Sequence, residues 1–121
     1  MDRLLSGRRV LVVEDEMMIL MMIEDMLADL GCDAVIAAAT VDKAVGLIDE
    51  QVFHAAMLDL NLDGEASYAV ADALIARGVP FVFSTGTTDH NMRDGYRDHP
   101  VLKKPFSDEK LADALTRLLS R

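Results

Sequence analysis

Three acids, a hydroxyl and a lysine stand at four points of the chain, each within two residues of the end of an apolar run: Glu14 and Asp15, Asp59, Thr85 and Lys104. Three carboxylates in one pocket would repel each other and raise one another's pKa unless a cation were present. Oxygen ligands of this kind suit Mg²⁺, which takes one or two carboxylates, waters and a phosphate oxygen. Lys104 would add a second positive charge. The set fits phosphoryl transfer to a carboxylate, with Asp59 as the nucleophile.

The surroundings of Asp59 predict where it lies in the fold. It ends the apolar run of residues 55–58 and is followed by the turn formers Asn61, Asp63 and Gly64. A short apolar run that stops at turn residues is typical of a buried strand in a parallel sheet. Asp59 would then lie at the carboxyl end of that strand, where open α/β sheets place their ligand sites.

Similar runs predict the other elements. We expect five strands, at residues 10–13, 34–39, 55–59, 80–86 and 101–105. Between them we expect a first helix that Gly31 ends, a second that Thr40 caps, a third at about residues 67–77, and a last helix that Ser107 caps. Residues 87–99 carry only Met92 and Tyr96 as large apolar groups, so any helix there is short and weakly held. The alternation predicts a doubly wound parallel sheet in one domain.

The first helix has a predicted core face and an unusual number of methionines. Helical spacing places the core face at Ile19, Met22, Ile23, Met26, Leu27 and Leu30. Met17 and Met21 fall on the other side, where they are candidates for a docking surface.

The composition narrows the classes of function. The chain has 121 residues, 51% hydrophobic, without an apolar run near the ~20 residues of a membrane span and without a signal peptide. Its net charge of −9 argues against direct nucleic-acid binding. Cys32 is alone, so no disulfide is expected, and the histidines, which share no metal-ligand spacing, are expected at the surface. We expect a cytoplasmic protein with no membrane partner.

Together, Glu14-Asp15, Asp59, Thr85 and Lys104-Pro105-Phe106 resemble the signature of the response-regulator receiver domain of bacterial two-component signalling. The resemblance covers the chain from about Arg8 onward. It implies the (βα)5 flavodoxin-like fold with strand order 2-1-3-4-5, a single domain with its core at about residues 8–120, and no output domain.

The resemblance also implies a role for each site residue. Asp59 would accept a phosphoryl group, with Mg²⁺ held by Glu14, Asp15, Asp59 and the backbone carbonyl of Asn61. Thr85 would be the switch hydroxyl, Lys104 would sense the phosphate, and the bond before Pro105 would be cis.

The run from Pro80 to Gly86 is similar to the PFxFATG run of the alphaproteobacterial "FAT GUY" receivers. Ser84 replaces their usual alanine, and Thr87 stands where an aromatic is common. Val101 occupies the position that usually carries the switch aromatic. We therefore expect the switch to involve Thr85, Gly86, Val101 and Pro105 without the rotation of a ring at Val101.

The resemblance implies a phosphorylated partner, either a histidine kinase of the HWE or a related class or a histidine phosphotransferase. The chain would then signal to an unknown downstream protein, or act as a phosphoryl shuttle or sink. We expect a phosphoacceptor that catalyses its own phosphotransfer and dephosphorylation, and not an enzyme in the usual sense. Three alternatives remain: a small aspartyl-phosphate phosphohydrolase, a flavodoxin-like cofactor binder, and a receiver-like interaction module that is never phosphorylated.

Overall fold

The computed structural model describes residues 5–62, 64–86, 95–96 and 99–119. Within them the elements are β1 (Arg9–Val13), α1 (Met17–Asp29), β2 (Ala34–Ala38), α2 (Val41–Glu50), β3 (Ala55–Asp59), β4 (Asn61–Leu62), β5 (Glu65–Ala66), α3 (Tyr68–Ala76), β6 (Phe81–Thr85), β7 (Val101–Lys103) and α4 (Asp108–Leu119). Among these residues there is no helix with the length and apolar character needed to cross a membrane.

The main sheet has five parallel strands in the order β2-β1-β3-β6-β7. Because β4 and β5 form a separate small hairpin, this order is the predicted 2-1-3-4-5, and the fold prediction is confirmed. The hairpin was not predicted. It forms where turn residues follow β3, with Gly64 at a φ of 87°, a backbone conformation that glycine adopts without steric cost.

Helices cover both faces of the sheet. Inward side chains of α1 and α4 pack with Val10, Val12 and Met57 on one face. Those of α2 and α3 pack with Leu11, Val13 and other residues of alternate parity on the opposite face. Side chains of successive strand residues point to opposite faces, so every central strand is buried on both sides. The strands are therefore fixed in position, and the residues at their carboxyl ends are fixed with them.

The helix boundaries follow the predicted signals. The Thr40 side chain accepts a hydrogen bond from the Lys43 amide at 3.1 Å, and that of Ser107 accepts one from the Lys110 amide at 3.2 Å. Gly31 has a φ of 86° just after α1. These contacts satisfy backbone groups that helix ends leave without an intrahelical partner.

Two predictions about individual side chains were wrong. Met22 is 50% exposed, and the buried residues of α1 are Leu20, Ile23 and Leu27, because the helix is rotated relative to the predicted core face. His54 and His99 are half-buried rather than on the open surface. Each ring takes a backbone partner, which makes this burial possible: His54 Nδ1 accepts from the Arg9 amide, and His99 Nε2 lies 2.8 Å from the Phe81 carbonyl oxygen. His90 and Met92 lie outside the described residues.

Candidate functional site

The predicted site residues meet at one edge of the sheet. Glu14 directly follows β1, Asp59 ends β3, Thr85 ends β6, and Lys104 directly follows β7. Parallel strands present their carboxyl ends at a common edge, and the register pairs Asp59 beside Ser84 and Thr85 beside Lys103. The convergence that the sequence predicted is therefore present.

Lys104 joins the two buried acids of the site. Its Nζ donates to Glu14 Oε1 at 2.8 Å and to Asp59 Oδ2 at 3.1 Å. The side chain of Lys104 is 13% exposed, and those of Glu14 and Asp59 are 1% and 9% exposed. Burial by itself would lower the pKa of Lys104, but the hydrogen bond to Glu14 and the charge of Asp59 outweigh it and raise that pKa. Lys104 is thus a fixed cation at neutral pH.

Both carboxylate oxygens of the buried Glu14 accept hydrogen bonds. Its Oε2 accepts from the Glu16 amide at 3.1 Å while its Oε1 accepts from Lys104. Burial raises the pKa of the Glu14 carboxyl, and the hydrogen bonds from Lys104 and the Glu16 amide oppose the rise without cancelling it. The contact with Lys104 therefore favours the charged form of Glu14.

Asp59 faces a cleft of about 360 Å³. Its Oδ1 accepts a hydrogen bond from the Asn61 amide at 3.2 Å, which orients the carboxylate at the carboxyl end of β3. The lining of the cleft includes two residues that sequence reasoning did not assign to the site, Glu16 and Gly64. Glu16 directly follows Asp15 and Gly64 lies three residues after Asn61, but no residue spacing in the sequence singled out either one as a site residue.

Three acids could share a metal ion here. Glu14, Asp15 and Asp59 each offer a carboxylate oxygen, and these oxygens lie within 4.8 Å of one another. Asp15 is more exposed than the other two, so a bound ion would keep contact with water. Carboxylates with open water positions are the donor set that suits Mg²⁺, and Asn61 lines the same cleft. The donor set fits the ion that the sequence predicted.

Two of the four predicted switch residues, Thr85 and Gly86, line this cleft. Thr85 is 3% exposed, and its carbonyl accepts from the Lys104 amide at 2.8 Å. Gly86 lines the cleft, and the bond between Lys104 and Pro105 is cis, as expected. Val101 is half-buried and pairs with Phe83 across the sheet, away from the cleft lining.

An apolar surface lies beside the cleft. Met17, Met18, Met21 and Met22 are 66%, 81%, 56% and 50% exposed, and we call them the methionine face. A cavity of about 420 Å³ opens next to it. Most of its lining is apolar, and the lining residues are Glu16, Ile19, Met22, Ile23, Gly86, Lys104, Pro105 and Phe106. The sequence predicted Met17 and Met21 on this surface. Met22, which was predicted in the core, joins it because α1 is rotated, and Met18 had been assigned to neither side.

Comparisons with known proteins agree with this geometry. Residues 10–116 match the response regulator receiver domain family. SdrG from Sphingomonas melonis Fr1 is 45% identical with a TM-score of 0.83, over 93% of this chain and 96% of that one. SdrG in its BeF3-activated conformation, from Pseudomonas melonis Fr1, is 42% identical with a TM-score of 0.80, over 98% and 99%.

A third structure contains a metal ion. The receiver domain of a sensor histidine kinase from Pseudomonas aeruginosa PAO1, with a magnesium ion in its active-site cleft, is 28% identical. Its TM-score is 0.79, over 96% of this chain and 100% of that one. A search of curated proteins found no match to the chain.

Proposed function

Because the chain belongs to the response regulator receiver domain family, we propose that it accepts a phosphoryl group on Asp59 from a phosphorylated histidine of a kinase or a histidine phosphotransferase. The observation that carries this proposal is the placement of Lys104 Nζ between Glu14 and Asp59 at the cleft. The lysine ammonium there offers a cation to the incoming phosphoryl oxygens.

The transfer needs no further reactant. The P–N bond of the phosphohistidine breaks, a P–O bond forms at the Asp59 carboxylate, and the imidazole leaves with the bonding pair. The Nζ of Lys104 lies 3.1 Å from Asp59 Oδ2. It could therefore transfer its hydrogen bond from that oxygen to a phosphoryl oxygen once Asp59 is phosphorylated. The Thr85 hydroxyl, at the end of the neighbouring strand, would donate to another phosphoryl oxygen.

Magnesium fits this reaction. Glu14, Asp15, Asp59 and the carbonyl of Asn61 would hold the ion, and the relative with magnesium in its cleft supports that assignment. The bound ion would neutralise charge on the transferred group.

We propose that the protein that donates the phosphoryl group docks on the methionine face. A partner helix that covers the exposed methionines and enters the apolar cavity would come to rest beside Lys104 and Gly86, at the rim of the phosphoacceptor cleft. Methionine side chains adapt to irregular partners, which suits a docking surface. Met17 and Met21 remain the central candidates. The downstream role is signalling by phosphorylation-dependent contact or transfer of the phosphoryl group onward.

The decisive experiment is incubation with Mg²⁺ and acetyl phosphate, followed by intact mass. We expect the wild-type chain to gain one phosphoryl group and Asp59→Ala to gain none. Asp49→Ala, an exposed acid at the end of α2, is the matched control and should label fully. Full labelling of Asp59→Ala, or no labelling of the wild type, would refute the proposal. The second result would leave an interaction module that is not phosphorylated.

A further inference from the structure

The two outer strands of the main sheet, β2 and β7, present very different edges. β7 has three residues, follows directly after the exposed Pro100 and ends with the exposed Lys103. Short length, proline and lysine are features by which proteins prevent the edge of a sheet from pairing with another chain. β2 has five residues, which are alanine, valine and isoleucine throughout. It therefore carries none of these protective features.

The hydrogen bonds between β2 and β1 show which backbone groups of β2 face outward. The Ala34 amide donates to a carbonyl just before β1, and the Ala38 carbonyl accepts from the Glu14 amide just after β1. Alternate residues of a strand direct their backbone groups to opposite sides, so those of Val35 and Ala37 point away from the sheet. Within the part of the chain that the structure describes, no backbone hydrogen bond outside the sheet involves either residue.

β2 is also less covered than the strands inside the sheet. Every residue of β3 and β6 is buried, whereas residues 34–37 of β2 are half-buried. Its side chains nevertheless pack on both faces: Val35 and Ala37 pack with the core under α1, and Ile36 packs with the core under α2. The side chains fix the strand in place, so a strand added at its outer edge would meet a fixed template.

The charge around β2 indicates the kind of partner that fits. The chain has eight acids and no lysine or arginine between Arg9 and Lys43. Asp29 at the end of α1, Asp33 directly before β2 and Asp42 in the first turn of α2 are exposed members of this group. A second copy of the chain, with its own net charge of −9, would bring like charges together. A cationic partner would be attracted.

We propose that the outer edge of β2 is a docking site for an extended segment of a partner protein, with lysine or arginine on either side of the residues that pair. The segment would exchange backbone hydrogen bonds with Val35 and Ala37 and add a strand to the main sheet. Main-chain hydrogen bonds supply the affinity in this mode of recognition, and alternate side chains supply the specificity. The edge includes no residue that lines the phosphoacceptor cleft and none of the methionine face. Docking there does not require phosphorylation of Asp59.

A synthetic peptide tests the site without knowledge of the natural partner. The probe is Lys-Lys-Val-Thr-Val-Thr-Val-Lys-Lys, in which valine and threonine favour an extended strand. It is titrated into the isotope-labelled chain, and NMR gives the dissociation constant and the exchange rates of individual amides. We expect exchange of the Val35 and Ala37 amides to slow by at least about tenfold at saturation, because peptide carbonyls accept from them. The peptide Lys-Lys-Gly-Ser-Gly-Ser-Gly-Lys-Lys, of equal charge, should give no such protection.

Two pairs of variants separate strand pairing from simple charge attraction. Val35→Pro removes an outward amide and no hydrogen bond to β1, and proline is tolerated at such positions of an edge strand. We expect it to bind the peptide about tenfold more weakly, whereas Lys103→Pro, at an outward position of β7, should not weaken binding. Asp33→Asn, which leaves the backbone intact, should bind about threefold more weakly. Asp49→Asn, near the end of α2, should bind almost as the wild type does.

The proposal would be overturned if the peptide left the Val35 and Ala37 amides unprotected, or if the glycine–serine peptide bound equally well. Unchanged affinity in both Val35→Pro and Asp33→Asn would also overturn it. Sedimentation of the chain without peptide tests the other occupant: a dimer that Val35→Pro abolishes would assign the edge to a second copy and refute the cationic partner. Each of these results leaves the labelling of Asp59 by acetyl phosphate, and with it the proposed function, unaffected.

Discussion

Replacing Lys104 with methionine should destabilise the protein in a manner that depends strongly on pH. The variant leaves Glu14 and Asp59, both buried, without the cation that now lies 2.8 and 3.1 Å from their oxygens. At an effective dielectric of about 20, each contact corresponds to roughly 5 to 6 kcal/mol of gross attraction. Much of this is offset by the cost of burying the lysine, so the net loss is about 3 kcal/mol.

Protonation of Glu14 limits the stability that the Lys104→Met variant loses. The variant can neutralise Glu14, whose ordinary pKa is 4.5, at a cost of about 1.4 kcal/mol per pH unit above that value. This limit is about 3.5 kcal/mol at pH 7 and below about 1 kcal/mol at pH 5. A carboxyl whose pKa is raised on folding binds more protons in the folded state, so stability falls as pH rises above 4.5. Removing Lys104 raises the Glu14 pKa further and steepens that fall.

Urea denaturation between pH 5 and 8 measures the effect. Lys103→Met is the matched control, because Lys103 is the preceding residue and is exposed. We expect it to change stability by less than about 0.5 kcal/mol at every pH. Since the pKa of Lys104 is raised, its charge does not titrate in this range. Equal stability of the two variants at pH 8, or a gap that does not narrow toward pH 5, would refute the reasoning.

Three further predictions concern the same edge of the sheet. Asp15→Asn should bind Mg²⁺ more weakly than the wild type, because it removes one carboxylate from the group that would hold the ion. It should be no less stable without metal, because it also removes one charge from a repulsive cluster. An unchanged NMR titration with Mg²⁺ would contradict this prediction. Ser67→Ala should lower the unfolding free energy, measured in urea, by about 1 kcal/mol, because it removes the hydroxyl that donates to the Leu60 carbonyl. The loss should be no larger because the Ser67 amide still donates to that carbonyl. A loss near zero would show that the hydroxyl is dispensable. Backbone amides from Gly86 to Tyr96 should sharpen in NMR spectra when beryllofluoride binds, because few apolar groups anchor the segment, and no response would contradict the switch at Thr85.

The sequence predicted the positions of the chemistry because local patterns determine them. The apolar run before Asp59 and the turn residues after it define a buried strand end wherever they occur. Once five such strands are assigned, the rule that parallel strands share a carboxyl edge brings Glu14, Asp59 and Lys104 together. The strand order of the main sheet and the cis bond before Pro105 came from family resemblance, and both agree with the structure.

Tertiary structure alone decided which residues touch. The rotation of α1, which exposed Met22, depends on packing against β-strands that a helical period does not specify. The Tyr68–Tyr96 stack joins the start of α3 to the chain before β7, residues with no shared local pattern. Contacts between residues so distant in sequence depend on how the helices settle on the sheet. The sequence therefore determined which residues lie at the carboxyl edge of the sheet, and the three-dimensional packing determined the methionine face and the Tyr68–Tyr96 stack.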